Sequence, residues 1–287
     1  MKLVTFRGRE NAPELGVLRS AEIVPLAELG FRDMPELIAQ WTSAQPRVEE
    51  LAAKGEGQPL SSVKLMAPVP KPNKLICIGL NYREHAIESN MAIPEVPTVF
   101  SKFATAIVGP EDSVVLPSIT QQPDYEAEFA FIVGKGGRNI PESEWRNHVF
   151  GYTIVNDVSA RDLQLRVSQW LMGKSFDTFA PMGPAITTAD EIADPHTLDI
   201  RMTINGEVLQ NSNTSELIFN LPALVAYLSS VFTLEPGDVV ATGTPSGVGM
   251  GRNPKRWLRP GDEMTVFVQG LGELRNRCVA EAEAAKA

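Results

Sequence analysis

Glu126 and Glu128 stand two residues apart in DYEAEFAFIVG, so on a strand both carboxylates leave the same face. Ala130 and Ile132 continue that face, while Tyr125, Ala127, Phe129 and Phe131 point the other way. Two like charges in apolar surroundings repel each other and lose solvation, and a divalent cation compensates both. Asp157, closing the apolar run GYTIVND, offers a third carboxylate. An E-x-E pair alone is more often a solvated strand face; the apolar flanks and the second carboxylate-ended strand favour a metal site. Carboxylates with no Cys or His nearby in sequence suit a hard ion, Mg²⁺ or Mn²⁺, rather than zinc.

A second polar group lies in GLNYREHAIESN. Asn81 with Glu84 three residues on reads as the start of a short helix. His85 and Glu88 then share a helical face, where a carboxylate can orient an imidazole for general-base work. From spacing alone, an incidental surface pair is the more common outcome. The cap and the trailing Pro94 and Pro97 predict a lid with few core contacts.

Lys174, in GKSFDTF, is placed to hold a substrate oxyanion and balance charge near a carboxylate site. Arg161 in SARD reads equally as a substrate contact or as a buried ion pair with Asp162 or another acid. GTPSGVGMG predicts a tight loop bringing Thr244 and backbone N–H groups to a ligand. SQWLMGKS ends like a phosphate-binding loop but has Ser168 where that pattern needs Gly, so nucleotide binding is rejected. His148 and His196 read as structural or solvated, Met172 and Met182 as core fillers, and the basic loop RNPKRWLR as solvated.

Many short strands must position these groups. KLICIGL, EFAFIVG, FGYTIVND, LDIRMTINGEVLQ, GDVVATG and DEMTVFVQG are strand-like, and Asn205-Gly206 marks a type I′ hairpin. Helices are expected around Tyr82 to Ser89, Ala160 to Trp170 and Leu221 to Phe232. The three prolines of APVPKPN mark a linker, which divides a small N-terminal α/β domain, residues 1–68, from a catalytic domain, 69–287. The fold class is α+β, mostly β.

Composition sets limits. With 26 Lys+Arg against 35 Asp+Glu, the net charge of −9 argues against nucleic acid as a partner. No apolar run is long enough for a membrane helix, and MKLVTFRGRE lacks a signal peptide's apolar core, so a cytoplasmic protein with no membrane partner is expected. Two cysteines exclude a disulfide framework.

DYEAEFAFIVGK, GYTIVNDVSARDLQ, GKSFDTFAPMGP and GDVVATGTPSGVG, in that order, resemble the fumarylacetoacetate hydrolase superfamily over about residues 70 to 279. The resemblance implies a mixed β-sandwich roll behind a small N-terminal domain, and a homodimer. It implies Glu126, Glu128 and Asp157 as metal ligands, Lys174 as an active-site lysine, Gln164 near the metal's waters and Thr244 as a substrate contact. It also turns His85 and Glu88 into a catalytic pair on a lid. The expected activity is Mg²⁺- or Mn²⁺-dependent hydrolysis of the C–C bond in an acylpyruvate-like 2,4-dioxo acid. Oxaloacetate decarboxylation, isomerisation of a 2-hydroxymuconate-type dienoate and chemistry on a sugar-derived 3-deoxy-2-oxo acid are the rivals on the same site. Non-catalytic metabolite binding is the rival of another class.

Overall fold

The structure, a computed structural model, describes residues 1–8 and 12–284. Two sheets carry the chain. The larger is ordered Gln58–Pro59, Glu22–Pro25, Pro13–Arg19, Lys2–Arg7, Ala180–Thr188, Val149–Asn156, Ala127–Val133, Val239–Ala241, Leu75–Gly79 and Thr98–Ser101. The smaller runs Glu207–Asn213, Asp199–Ile204, Glu263–Val268, Gly272–Ala280 and Ser113–Leu116. Most pairings are antiparallel, but Val239–Ala241 lies parallel to Leu75–Gly79, and Gly272–Ala280 parallel to Ser113–Leu116. The result is a mixed, mostly β sandwich.

Alternation along Ala127–Val133 sorts its side chains between two cores. Ala127, Phe129, Phe131 and Val133 face the smaller sheet, meeting Ile200, Met202, Val266 and Leu274 and the helix Leu221–Val231. Ala130 and Ile132 face the other way, against Leu75, Cys77, Val239 and Met182 and the N-terminal residues Leu3, Leu37 and Val48. The first strand pairs directly with Ala180–Thr188, so the N-terminal strands extend the main sheet. Every residue of Ala127–Val133 and of Val149–Asn156 is buried, as the continuous apolar runs require.

Asn205 and Gly206 both have positive φ, 51° and 84°, between the paired Ile204 and Glu207, which is the hairpin turn expected. The expected helix from Ala160 to Trp170 breaks up. Only Arg161–Gln164 and Leu171–Lys174 are helical, with an exposed stretch between them. Met182 is fully buried, but Met172 is 69% exposed on that stretch's far side, so it fills no core. Among the described residues, no helix is long and apolar enough to cross a membrane.

Candidate active site

The antiparallel register Ala127↔Asn156 brings two strand ends together, with Glu126 just before one strand and Asp157 just after the other. The Asp157 N–H donates to the Glu126 carbonyl at 2.9 Å. Glu128 enters from the same face one register step inside. One carboxylate oxygen from each of Glu126, Glu128 and Asp157 lies within 4.8 Å of the others, and all three residues are buried. Val239–Ala241 runs beside this pair into Thr242 and Gly243. Gly243 sits at φ 100°, where an added Cβ would lie 2.8 Å from Asn81 Cβ, and its N–H donates to Glu128 Oε2 at 3.0 Å.

Three cations face the cluster. Lys174 Nζ bridges Glu126 Oε2 and Asp157 Oδ2 at 2.8 Å each. Arg161 Nη1 pairs with Glu126 Oε1 at 2.7 Å, and Lys102 Nζ with Asp157 Oδ1. Burial works to raise the Glu126 carboxyl, but Lys174 and Arg161 outweigh it and hold it well below the ordinary value. Glu128 has no such partner. Burial, with Asp157 and Glu126 beside it, pushes its carboxyl well above the carboxylate range. Burial alone would lower Lys174, yet Asp157 and Glu126 hold its ammonium above the ordinary lysine value. Lys102 is lowered by burial, with Lys174 adding to the effect. Glu128 is therefore the one member of the triad whose oxygens none of these three cations contacts. That deficit and the all-oxygen donor set fit a hard divalent ion held by Glu126, Glu128 and Asp157.

His85 Nδ1 lies 2.8 Å from Glu88 Oε1, at the spacing expected on the helix Arg83–Glu88. An ionised carboxylate only accepts, so Nδ1 is the donor to Glu88, and in the neutral ring Nε2 is the acceptor. His85 lines the same pocket as Glu126, Glu128, Arg161, Gln164 and Lys174, a narrow cavity of about 30 Å³. The helix is held more firmly than a lid with few core contacts. His85 and Ala86 are buried, and Glu88 Oε2 accepts the Gly247 N–H at 2.9 Å. Ile87 on the helix and Met91, Ile93 and Val96 after it are exposed.

Asn81 is not the cap. Tyr82 occupies that position without a side-chain bond, while Asn81 is fully buried and bridges separate segments. Its Nδ2 donates to Phe219 O and Thr242 O at 3.0 and 2.8 Å, and its Oδ1 accepts the Phe219 N–H at 2.7 Å. This ties the helix to the Gly243 turn. Asn81→Ala should lower stability by about 3 kcal/mol, because buried backbone groups lose their partners. An unchanged urea midpoint would show that the bridge contributes nothing.

Residues 74–279 match the model of the fumarylacetoacetate (FAA) hydrolase C-terminal domain. The chain belongs to this family. It is similar to a Xenopus laevis protein named oxaloacetate tautomerase fahd2, mitochondrial. The two are 49% identical over 221 residues, 76% of this chain and 69% of that protein. Among solved structures, a putative HpcE protein from Mycobacterium smegmatis superimposes with a TM-score of 0.88 at 39% identity, covering 98% of this chain and 100% of that one. The maleylpyruvate hydrolase of Sphingobium sp. SYK-6, in complex with manganese(II) and pyruvate, gives 0.85 at 34% identity, covering 98% and 99%.

Within this family domain, the other expected residues reach the pocket with altered tasks. Gln164 lines it, and its Oε1 accepts Arg161 Nη1 at 3.0 Å. Arg161 pairs with Asp124 and Glu126 rather than Asp162, whose carboxylate takes Thr120 and the Gln121 N–H. Thr244 lines the pocket, but its hydroxyl donates to Ala127 O at 2.9 Å and accepts from Gln210 Nε2 at 2.8 Å. Its proton is thus committed to the backbone, so as a substrate contact Thr244 would not offer its O–H. His196 is structural: its Nε2 accepts the Leu221 N–H at 3.2 Å where the long helix starts. Arg256 of the basic loop pairs with Asp262 at 2.8 Å, so it is not simply solvated.

Lys102, Asp124 and Gln210 were not foreseen. Asp124 accepts N–H groups from Tyr125, Gly249 and Met250 and pairs with Arg161 Nε at 2.8 Å, which fixes the glycine loop against the site. Lys102 left a signal, as a lone charge in the apolar VFSKFATAIVG. Gln210 left none, since nothing in a hairpin strand marks one polar residue as buried.

Proposed function

We propose that this chain is an enolising enzyme for small 2-oxo acids, with oxaloacetate as the preferred substrate and keto–enol tautomerisation as the reaction. A Mg²⁺ or Mn²⁺ ion held by Glu126, Glu128 and Asp157 would supply Lewis acidity to the substrate's carbonyl oxygen. His85 does the proton work. Its Nε2 takes a proton from C3 and returns it to the C2 oxygen, or the reverse, and no carbon–carbon bond breaks. Glu88 fixes the ring and stabilises the imidazolium that forms between the two transfers. The cations Lys174 and Arg161 offset the charge of an anionic substrate. Arg161 Nη2 is buried with no partner, a donor suited to a substrate carboxylate.

The observation that carries this reading is a single pocket lined by Glu126 and Glu128 of the carboxylate triad and by His85, whose Nδ1 is tied to Glu88. The relative named oxaloacetate tautomerase supports the choice of substrate. The experiment follows the decay of enol oxaloacetate in the presence of Mg²⁺ or Mn²⁺. Acceleration above the metal-only rate is expected; equal rates refute the reading.

Hydrolysis of an acylpyruvate-like 2,4-dioxo acid remains a second reading, favoured by the neighbour described as a maleylpyruvate hydrolase with manganese and pyruvate. The same His85 would then activate a water, the carbonyl at C4 would accept it, and the C3–C4 bond would break. Dienoate isomerisation shares the enolisation step, whereas oxaloacetate decarboxylation reaches a similar enolate by losing CO₂. A homodimer belongs to this proposal, with exposed Ile87, Val96, Phe103, Val167 and Met172 as apolar surface for it to cover. The Xenopus relative is named mitochondrial, so the cytoplasmic expectation draws no support from it.

A further inference from the structure

The pocket has a polar end and an apolar wall, and the wall has an unusual seat. Trp170 precedes the one-turn helix Leu171–Lys174, which places it four residues from Lys174 on the same face. Phe100 lies between them. Lys174 Nζ is 5.0 Å from the Phe100 ring centroid, and the Phe100 and Trp170 rings meet edge-on at 5.5 Å. The wall thus leads from the ammonium that bridges the triad to the indole in two ring contacts. Leu80, Met91, Leu165 and Met250 complete the lining without adding a charge.

The indole rests on bare backbone. A Cβ placed on Gly79 would lie 2.3 Å from Trp170 Cζ3 and 2.9 Å from Cη2. Any larger residue at position 79 would lift the ring. The turn that carries Trp170 is itself pressed close, because a Cβ on Gly173 would lie 2.4 Å from the Gln164 backbone nitrogen. The Gly173 N–H also donates to Trp170 O at 2.9 Å. Two glycines therefore set where the ring sits, and close packing leaves it little freedom to swing aside.

We propose that Trp170, seated on Gly79, is the length stop of the substrate pocket. It restricts the site to 2-oxo acids whose tail beyond C3 is no larger than a carboxylate or a short alkyl group. This rests on reading the pocket as a 2-oxo acid site, and it explains why a four-carbon diacid suits that site better than a long acylpyruvate. Trp170 touches the tail and determines specificity; it takes no part in proton transfer.

The test is calorimetric binding of N-alkyl oxamates, from methyl to hexyl, to the Mn²⁺-loaded protein. These present a carboxylate and an adjacent carbonyl but cannot be turned over, so the readout is independent of activity. In the wild type, affinity should fall about tenfold or more from N-methyl to N-hexyl oxamate. In Trp170→Ala the order should reverse, with gains approaching about fourfold per buried methylene. Trp170→Phe should fall between, and Gly79→Ala should alter the length profile while N-methyl oxamate still binds. These two variants decide the matter if Trp170→Ala fails to fold. Equal wild-type affinity for short and long tails, or one unchanged profile in every folded variant, overturns the stop alone. Failure of N-methyl oxamate to bind the wild type with Mn²⁺ overturns the 2-oxo acid reading, and the stop falls with it.

Discussion

Replacing Glu128 with Gln should abolish metal-dependent turnover while leaving the metal-free protein at least as stable as the wild type. Glu128 is 1% exposed and receives one backbone N–H, from Gly243, but no cation. Its ionised form suffers from burial and from Asp157 and Glu126 beside it. Because its folded pKa is raised, the stability it contributes is complete below the ordinary glutamate value and is lost as pH climbs toward the raised one. Glu128→Gln removes that loss but also removes a ligand charge the ion needs. Glu126→Ala should behave in the opposite way, although it too removes a like charge from the cluster. Glu126 pairs with Lys174 and Arg161, so its removal strands buried cations and should cost about 3–5 kcal/mol. Thermal melts with chelator across a pH series separate the two variants. Full turnover in either variant, or in thoroughly chelated wild type, would remove the basis for a metal site.

His85→Ala should lower oxaloacetate tautomerisation by about 10²–10⁴, the usual worth of a positioned acid–base group. Glu88→Gln should also fall substantially. A glutamine has one acceptor oxygen, but Glu88 uses two, for His85 Nδ1 and for the Gly247 N–H. The variant must give up either the ring's orientation or the glycine loop, so its effect exceeds that of lost charge alone. Acylpyruvate cleavage, measured in the same preparations, separates the two readings of His85. A parallel fall in both activities means that His85 serves a proton transfer at C3 common to both. A fall in cleavage alone, with tautomerisation intact, would make His85 a water-activating base and overturn its assignment here.

The candidate site was legible in the sequence wherever it depended on local periodicity. Glu126 and Glu128 share a face because a strand alternates, and His85 meets Glu88 because a helix turns in 3.6 residues. The hairpin at Asn205-Gly206 was legible for the same reason, since positive φ is a local demand. Long-range partners were not. Lys102 lies 55 residues from Asp157, and only sheet topology brings them together. Asn81 misled because an asparagine before a helix reads the same whether it caps that helix or bridges two distant segments. Thr244 lines the pocket, but its committed hydroxyl depends on Gln210 and Ala127, which sequence does not connect to it. Methionine usually fills core gaps, but Met172 stands on the exposed side of the one-turn helix Leu171–Lys174.

Enolisation at C3 is tested most directly with pyruvate, which offers no bond for hydrolysis or decarboxylation at this site. In deuterated water with Mn²⁺ or Mg²⁺, the wild-type protein should exchange the methyl protons of pyruvate well above the metal-only rate, as followed by loss of the proton signal in NMR. Chelation and His85→Ala should each return exchange to that background, while Trp170→Ala should leave it active. A protein that turns over oxaloacetate or acylpyruvates but exchanges no methyl protons, or whose His85→Ala variant exchanges at the wild-type rate, would contradict proton transfer by His85 at the carboxylate triad.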